Sequence, residues 1–177
     1  MKAPAGQQAP RRVMGVDTSL RSSGVAVVQA RGAVLETVEY CVIKNPPARP
    51  VSRSLHHLAE SLAEIIRRLQ PDAAAVEGVF FCKNVKTALA LGQARGVVLA
   101  ACAGAGIPVY EYPPRRVKQA VAGYGAAGKE QVRRMIMALL RLQDTPHEDA
   151  ADALAIAVCH LHGVIRWSGA GLLTKEI

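Results

Sequence analysis

The chain has 177 residues, half of them hydrophobic, which suits one domain with a layered core and excludes disorder for the body of the chain. Lys and Arg outnumber Asp and Glu by 22 to 14, so the net charge of +8 favours an anionic partner, most commonly nucleic acid. Residues 1–12 are rich in Pro, Gln and Ala and lack the apolar segment of a secretory signal. The four cysteines form no CxxC pair. We therefore expect a cytoplasmic protein with reduced thiols, a flexible basic leader and no membrane segment.

The apolar patterning predicts strands at 13–18, 24–30 and 34–43, joined by turns into an antiparallel meander. After residue 52 the spacing becomes helical up to Pro71, and a strand at 73–77 follows. A long helix at about 84–103, a strand at 107–112 and helices near 129–142 and 148–163 complete the order. This order predicts an α/β domain over residues 13–163, followed by a C-terminal tail at 164–177. Its mixed five-stranded sheet combines the three-stranded meander with two parallel strands and is flanked by helices.

Four carboxylates stand where segments are predicted to end or begin. Asp17 ends the first strand and Glu77 ends the fourth, while Asp149 and Asp152 share one face of the last helix at i, i+3 spacing. A right-handed crossover should place the first and fourth strands side by side, which brings Asp17 close to Glu77. Taken alone, each acid is as well explained as a turn or helix cap. The four together, on this order of elements, indicate one acidic site.

Clustered carboxylates repel one another unless a cation balances them, and hard divalent ions such as Mg²⁺ prefer oxygen ligands. The sequence therefore predicts two Mg²⁺ ions, replaceable by Mn²⁺, in a basic protein that binds a polyanion. Two such ions are typical of enzymes that hydrolyse phosphodiester bonds.

Several ordered motifs resemble the RuvC family of Holliday junction resolvases. They are Gly15-Val16-Asp17 with Ser23-Gly24-Val25, Ala75-Val76-Glu77-Gly78-Val79-Phe80, Lys83-Asn84, Leu91-Gly92-Gln93-Ala94-Arg95-Gly96, Val117-Lys118-Gln119 and the run 149–157. The resemblance spans approximately residues 13–162. It implies an RNase H-like fold, a homodimer, and Mg²⁺-dependent crossover junction endodeoxyribonuclease activity that nicks opposed strands of a four-way DNA junction in recombination and repair. It also implies partners of the RuvA and RuvB type.

By motif, the resemblance assigns the metals to Asp17, Glu77, Asp149 and Asp152. It places Phe80 against exposed bases at the crossover and Lys118, as a catalytic residue, near the scissile phosphate. The other expected DNA contacts are Lys83, Arg115, Arg116 and Lys129. One departure stands out, because the family usually has Asp-Pro-Gly where this chain has Asp17-Thr18-Ser19.

Other interpretations stay open at this point. Phe80 is equally compatible with a core position, and Arg115, Arg116 and Lys118 with a solvated basic face. The run 123–130 nearly matches a P-loop, but Glu130 stands where Ser or Thr is required, so Lys129 in a flexible loop is the better interpretation. A catalytically weak or inactive junction-binding module, or a nuclease acting on RNA or other branched DNA, has the same sequence features.

Overall fold

The computed structural model describes residues 11–78, 84–166 and 176–177. Its strands are β1 (Arg11–Asp17), β2 (Ser22–Arg31), β3 (Val34–Lys44), β4 (Ala73–Glu77) and β5 (Val109–Tyr112). Its helices are α1 (Val51–Leu69), α2 (Val85–Gly104), α3 (Pro114–Ala122), α4 (Lys129–Leu140) and α5 (Glu148–Arg166). The strands form one sheet in the order β3-β2-β1-β4-β5.

The sheet is mixed, as predicted from the order of elements. β1 pairs antiparallel with β2, and β2 pairs antiparallel with β3, which completes the meander. β1 pairs parallel with β4, and β4 pairs parallel with β5. The predicted neighbourhood of the first and fourth strands is therefore confirmed.

Hydrophobic residues fill both faces of the sheet. On one face, α3, α4 and α5 cover a core that includes Val13, Ala75 and Leu154. On the other face, α1 and α2 cover a core that includes Met14 and Val76. Because consecutive side chains of a strand point to opposite faces, the central strands are mainly apolar at successive positions.

Several boundaries and one element differ from the sequence-based expectation. β1 begins at Arg11, inside the predicted leader, because Arg11 and Arg12 pair with Ala30 and Gln29 of β2. α5 continues to Arg166, beyond the predicted end at 163. Helix α3 was not predicted; its first residue is Pro114, and proline suits the first turn of a helix, where no amide hydrogen is needed.

Candidate active site

The parallel pairing of β1 and β4 brings two acids to the same end of the sheet. Val16 lies beside Val76 in the register, and the next residues along the two strands are Asp17 and Glu77. Val16 and Val76 both face the core covered by α1 and α2. Strand alternation therefore directs Asp17 and Glu77 to the opposite face, where α5 lies.

Helix α5 adds two more acids on that face, and two glycines let the helix approach closely. A Cβ atom on Gly24 of β2 would overlap the carbonyl group of Asp149, and one on Gly15 of β1 would overlap the carbonyl oxygen of Ala153. The first turn of α5 therefore lies directly on β1 and β2. Asp149, in this turn, and Asp152, three residues later, are both partly exposed at the end of the sheet.

The electrostatics of Asp17 show that the carboxylates lie within range of one another. The pKa of Asp17 is raised from 3.8 to about 7, first by burial and then by the charges of Asp152, Glu77 and Asp149, while Lys129 opposes them. A carboxyl group that holds a proton near neutral pH is short of positive charge around it. The end of β1 is therefore a place where negative charge is only partly compensated.

Glu77 and Asp152 have the same kind of environment. Burial raises the pKa of Glu77, with a further contribution from Asp152, and Lys118 and Lys129 lower it in part. Burial also raises the pKa of Asp152, and Lys129 is the strongest opposing charge there. The lysines therefore lie close enough to the acids to act on their charge without neutralising it.

Two lysines approach the acids from the α3 and α4 side. Lys118 lies on α3, partly buried, and Lys129 is the first residue of α4. The Lys129 ammonium donates to Glu148 Oε1 at 2.6 Å and lies 3.9 Å from Asp152 Oδ2. Glu148, the first residue of α5, thus holds Lys129 beside the cluster.

The side chains do not yet form a closed ligand set. Within the described residues, no three His, Cys, Asp or Glu side chains converge at the spacing of a metal site. Asp149 Oδ2 instead accepts a short hydrogen bond from the Ser22 hydroxyl, and Asp152 Oδ2 faces Lys129. The Asp149 and Asp152 carboxylates are therefore engaged with Ser22 and Lys129.

Serine 23 holds the turn that follows Asp17. Its hydroxyl donates to the Ser19 carbonyl oxygen and accepts from the Ser19 amide at 3.0 Å. Neither Thr18 nor Ser19 has a positive φ, so this turn does not require glycine. The departure from the family's Pro-Gly therefore leaves Asp17 at the end of β1. The Thr18 hydroxyl oxygen is buried with no hydrogen-bond partner among the described residues.

The remaining predicted DNA contacts fall in two places. Phe80 and Lys83 lie outside the described residues. Arg115 and Arg116 are exposed at the start of α3, the helix that carries Lys118. The Arg115 side chain packs over Gly125, and the charge of Arg116 acts on Cys159 of α5.

The family model described as "Crossover junction endodeoxyribonuclease RuvC" matches residues 13–160. The chain belongs to the RuvC family. RuvC of Chloroflexus aggregans is 52% identical over 152 residues, which cover 85% of this chain and 93% of that protein. RuvC of Moorella thermoacetica is 50% identical over 149 residues, which cover 84% of this chain and 89% of that protein.

Solved RuvC structures share the fold. RuvC of Thermus thermophilus in complex with a Holliday junction substrate has a TM-score of 0.87 and 35% identity, covering 94% of this chain and 99% of that one. The yeast mitochondrial Holliday junction resolvase Ydc2 has a TM-score of 0.60 at 12% identity, covering 89% and 82% of the two chains, a likeness of fold alone. The RNase H-like fold predicted from the sequence motifs is that of the RuvC family.

Sequence reasoning missed three groups beside the acids. Ser22 and Glu148, which hold Asp149 and Lys129, each stand one residue before a motif that was recognised. The third group is Arg95 of α2, whose guanidinium contacts the carbonyl oxygen of Glu77 and the carboxylate of Glu111. Arg95 lies inside a motif shared with the family, and this could have marked it as important. The motif does not predict that Arg95 contacts Glu77 and Glu111.

Proposed function

We propose that this RuvC family member hydrolyses phosphodiester bonds at four-way DNA junctions, with Asp17, Glu77, Asp149 and Asp152 as its metal-binding centre. The observation that carries the proposal is the gathering of these acids at one end of the sheet, where the pKa of Asp17 rises to about 7. The Thermus thermophilus relative, solved with a Holliday junction substrate, supports the choice of DNA substrate. Paired, symmetric nicks on opposed strands are the expected outcome.

The acids fit a hard divalent cation. Their donors are carboxylate oxygens, and burial together with mutual repulsion raises the pKa values of Asp17, Glu77 and Asp152. A bound cation would reverse that repulsion, and Mg²⁺, or Mn²⁺ in its place, accepts a few carboxylates while keeping sites for water and phosphate. When bound, two such ions would supply a nucleophile at neutral pH and balance charge on the phosphate.

The lysines would act on the DNA phosphate. Lys118 and Lys129 lie within electrostatic range of the acids, on the side formed by α3 and α4. A positive charge held beside the scissile phosphate stabilises the negative charge that develops in the transition state. To bind phosphate, Lys129 must release Glu148. The free energy lost is small, because both side chains are largely exposed and exposed ion pairs are weak.

The wider DNA surface follows from charge and from the family. Arg115 and Arg116 are exposed beside Lys118 and would contact the backbone of a junction arm. Lys83 and Phe80 follow Glu77 along the chain, and we propose a backbone contact for Lys83 and stacking on an unpaired base for Phe80. RuvA- and RuvB-type proteins are proposed as partners on the family resemblance alone.

We further propose that two copies associate through the outer face of α2. Leu89 is 64% exposed, and small residues at Gly92, Gly96, Ala100 and Ala103 continue its line along the helix. A Cβ atom on Gly92 or Gly96 would meet nothing within 4 Å, so this face leaves room for close contact. A twofold dimer would present two sites to the two equivalent strands of a junction.

Helix α2 is also, by length and composition, the one described helix apolar enough to cross a membrane. A protein contact is the better interpretation, because Ala94, Val98 and Cys102 of α2 are fully buried in the core beneath the sheet. Arg95 also attaches the middle of α2 to β4 and β5.

The proposal is tested with purified protein, a synthetic four-way junction and a linear duplex of matched sequence, in Mg²⁺ and in EDTA. We expect nicks at symmetric positions in two opposed strands of the junction, only with metal, leaving 5′-phosphate and 3′-hydroxyl ends. Tight junction binding without cleavage in Mg²⁺ or Mn²⁺ would show a binding module instead. Equal cleavage of the junction and the linear duplex would contradict the proposed selectivity for junctions.

A further inference from the structure

Arg95 is a nearly buried charge on an otherwise apolar stretch of α2. Its side chain is 12% exposed, and its nearest charged partner is Glu111 of β5, which accepts a short hydrogen bond from Nη2. Its Nη1 atom donates to the backbone carbonyl oxygen of Glu77 at 2.9 Å. A buried guanidinium is costly unless such partners are present. Arg95 therefore joins α2, β4 and β5 at the residue that ends β4.

The peptide that follows Glu77 is held on both sides. Arg95 donates to the carbonyl oxygen of Glu77. The Gly78 amide, at the other side of the same peptide group, donates to the Tyr112 carbonyl oxygen at 2.8 Å. β4 ends here, so these two hydrogen bonds take over from the regular strand pairing. The backbone orientation of Glu77, and with it the direction of its side chain, depends on them.

Gly78 and Glu111 complete the arrangement. A Cβ atom on Gly78 would lie 3.1 Å from Glu111 Oε1, which is tighter than most real contacts of that kind, so a side chain at residue 78 would press on the Glu111 carboxylate. Glu111 in turn orients the guanidinium of Arg95. We name Arg95, Glu111 and Gly78 the Glu77 bracket.

We propose that Arg95 is a positioning residue that holds Glu77 in place for metal binding, acting through the backbone of β4. This rests on the proposed function of Glu77. The hydrogen bond from Arg95 to Glu77 goes to the backbone carbonyl oxygen and not to the side-chain carboxylate. Arg95 thus orients Glu77 without neutralising it, and its own charge is matched by Glu111.

The bracket also connects the site to α2. The same helix that holds Glu77 through Arg95 presents Leu89, Gly92 and Gly96 on its outer face. A displacement of α2 along its axis would move Arg95 and, through one hydrogen bond, the end of β4. Arg95 is therefore the direct link between the proposed dimer helix and the proposed metal centre.

The variants Arg95→Gln, Arg95→Lys and Glu111→Gln test the proposal, with Arg68→Gln as the matched control. Arg68 of α1 also forms a two-point ion pair with a strand glutamate, Glu39, but on β3, the edge strand opposite β5 in the sheet order. Each variant is measured for thermal unfolding, for junction affinity in EDTA, and for the Mg²⁺ concentration that gives half-maximal single-turnover cleavage. The shift of the unfolding temperature by Mg²⁺ without DNA gives a readout independent of cleavage.

For Arg95→Gln we expect junction affinity within about twofold of wild type, cleavage slower by about 10- to 100-fold, and a higher half-saturating Mg²⁺ concentration. The Mg²⁺-induced thermal shift should decrease as well. Arg95→Lys should recover part of the loss, because lysine keeps the charge but cannot serve both acceptors in the same geometry. Glu111→Gln should show a smaller change in the same direction.

Arg95→Gln removes one member of a nearly buried ion pair and can unfold the domain, so Glu111→Gln serves as the second, milder test. The proposal is overturned if folded Arg95 and Glu111 variants keep the wild-type Mg²⁺ dependence, as Arg68→Gln should. Should the wild-type protein fail to cleave junctions, the thermal shift by Mg²⁺ still tests the bracket by itself. A wild-type shift that Arg95→Gln leaves unchanged contradicts the bracket, whereas a reduced shift supports it.

Discussion

Gly24 of β2 lies against the backbone carbonyl of Asp149, with no room for a side chain between strand and helix. This contact sets the height of the first turn of α5 above the sheet. Gly15 provides the same clearance one turn later, below Ala153. The distance of Asp149 and Asp152 from the acids on β1 and β4 therefore depends on glycine, which has no side chain, at positions 15 and 24.

Gly24→Ala should displace the start of α5 and lower the free energy of unfolding by about 1–3 kcal/mol, the usual cost of overpacking a core. Junction cleavage should fall more than junction binding, because Asp149 and Asp152 move away from Asp17. Denaturant unfolding and single-turnover cleavage measure the two effects. Gly163→Ala, near the other end of α5, is the control, since a Cβ atom there meets nothing within 4 Å. Wild-type cleavage by Gly24→Ala would contradict this role.

The stability of the metal-free protein should depend on the protonation of Asp17. Its pKa is about 7 in the folded state and 3.8 in the reference state, so the folded protein retains a proton that the unfolded chain has lost. The contribution of Asp17 to the free energy of unfolding is fully present below the unfolded pKa of 3.8 and is lost as the pH rises through the folded pKa of about 7. The raised pKa values of Glu77 and Asp152 act in the same direction.

Buried His160 acts in the opposite direction at lower pH. Its pKa is lowered to about 4 from 6.5, so stability is lost as the pH falls through that interval. A comparison of Asp17→Asn with wild type in EDTA cancels this effect. The unfolding temperature of the variant should exceed that of wild type by an amount that grows from pH 5 to pH 8, and Mg²⁺ should reduce the difference. A difference in unfolding temperature that does not change with pH would show that the pKa of Asp17 is not raised in the folded protein.

Lys118→Ala should slow cleavage by roughly 10²- to 10³-fold, as expected when a group that stabilises transition-state charge is removed. Its effect on affinity should be small and visible mainly as a decrease of about one in the salt dependence of junction binding. Lys44→Ala, at the exposed end of β3, is the control for loss of one positive charge. If both variants lose cleavage and binding to the same extent, Lys118 is only part of a general basic surface.

Leu89→Glu should separate the proposed dimer, because it places a charge on the exposed apolar face of α2. Sedimentation equilibrium should show monomers for this variant and dimers for wild type. Val34→Glu on β3, where the valine is 53% exposed, should stay dimeric. The Leu89 variant should also lose the coordination of the two nicks. A dimer that survives Leu89→Glu with unchanged affinity places the interface elsewhere.

Much of this arrangement follows from pattern and topology. The apolar runs that end at Asp17 and Glu77 are strands because they alternate between two buried faces, and a right-handed crossover through α1 sets them side by side. The i, i+3 spacing of Asp149 and Asp152 places both on one face of a helix, so a helix packed at that end of the sheet brings them to Asp17 and Glu77. These relations are local or topological, so the sequence carries them directly.

Other features depend on contacts that no short pattern encodes. Pro113 and Pro114 end β5 and also begin α3, and only the ending was predicted, because a proline pair signals a break more strongly than a start. The contacts of Arg95 with Glu77 and Glu111 need α2 packed at one height against β4 and β5. That height is set by side-chain packing across the whole core, and a motif alone does not give it.

The most direct test of the acid cluster as the catalytic centre is the cleavage of a four-way junction by Asp17→Asn, beside Asp144→Asn, which changes an exposed acid after α4. Single-turnover rates in Mg²⁺ and junction affinity in EDTA are measured for both variants and for wild type. We predict that Asp17→Asn abolishes nicking while keeping junction affinity, and that Asp144→Asn matches wild type in both. Nicking at the wild-type rate by Asp17→Asn would contradict the account, because a centre built around Asp17 cannot lose that carboxylate and still work.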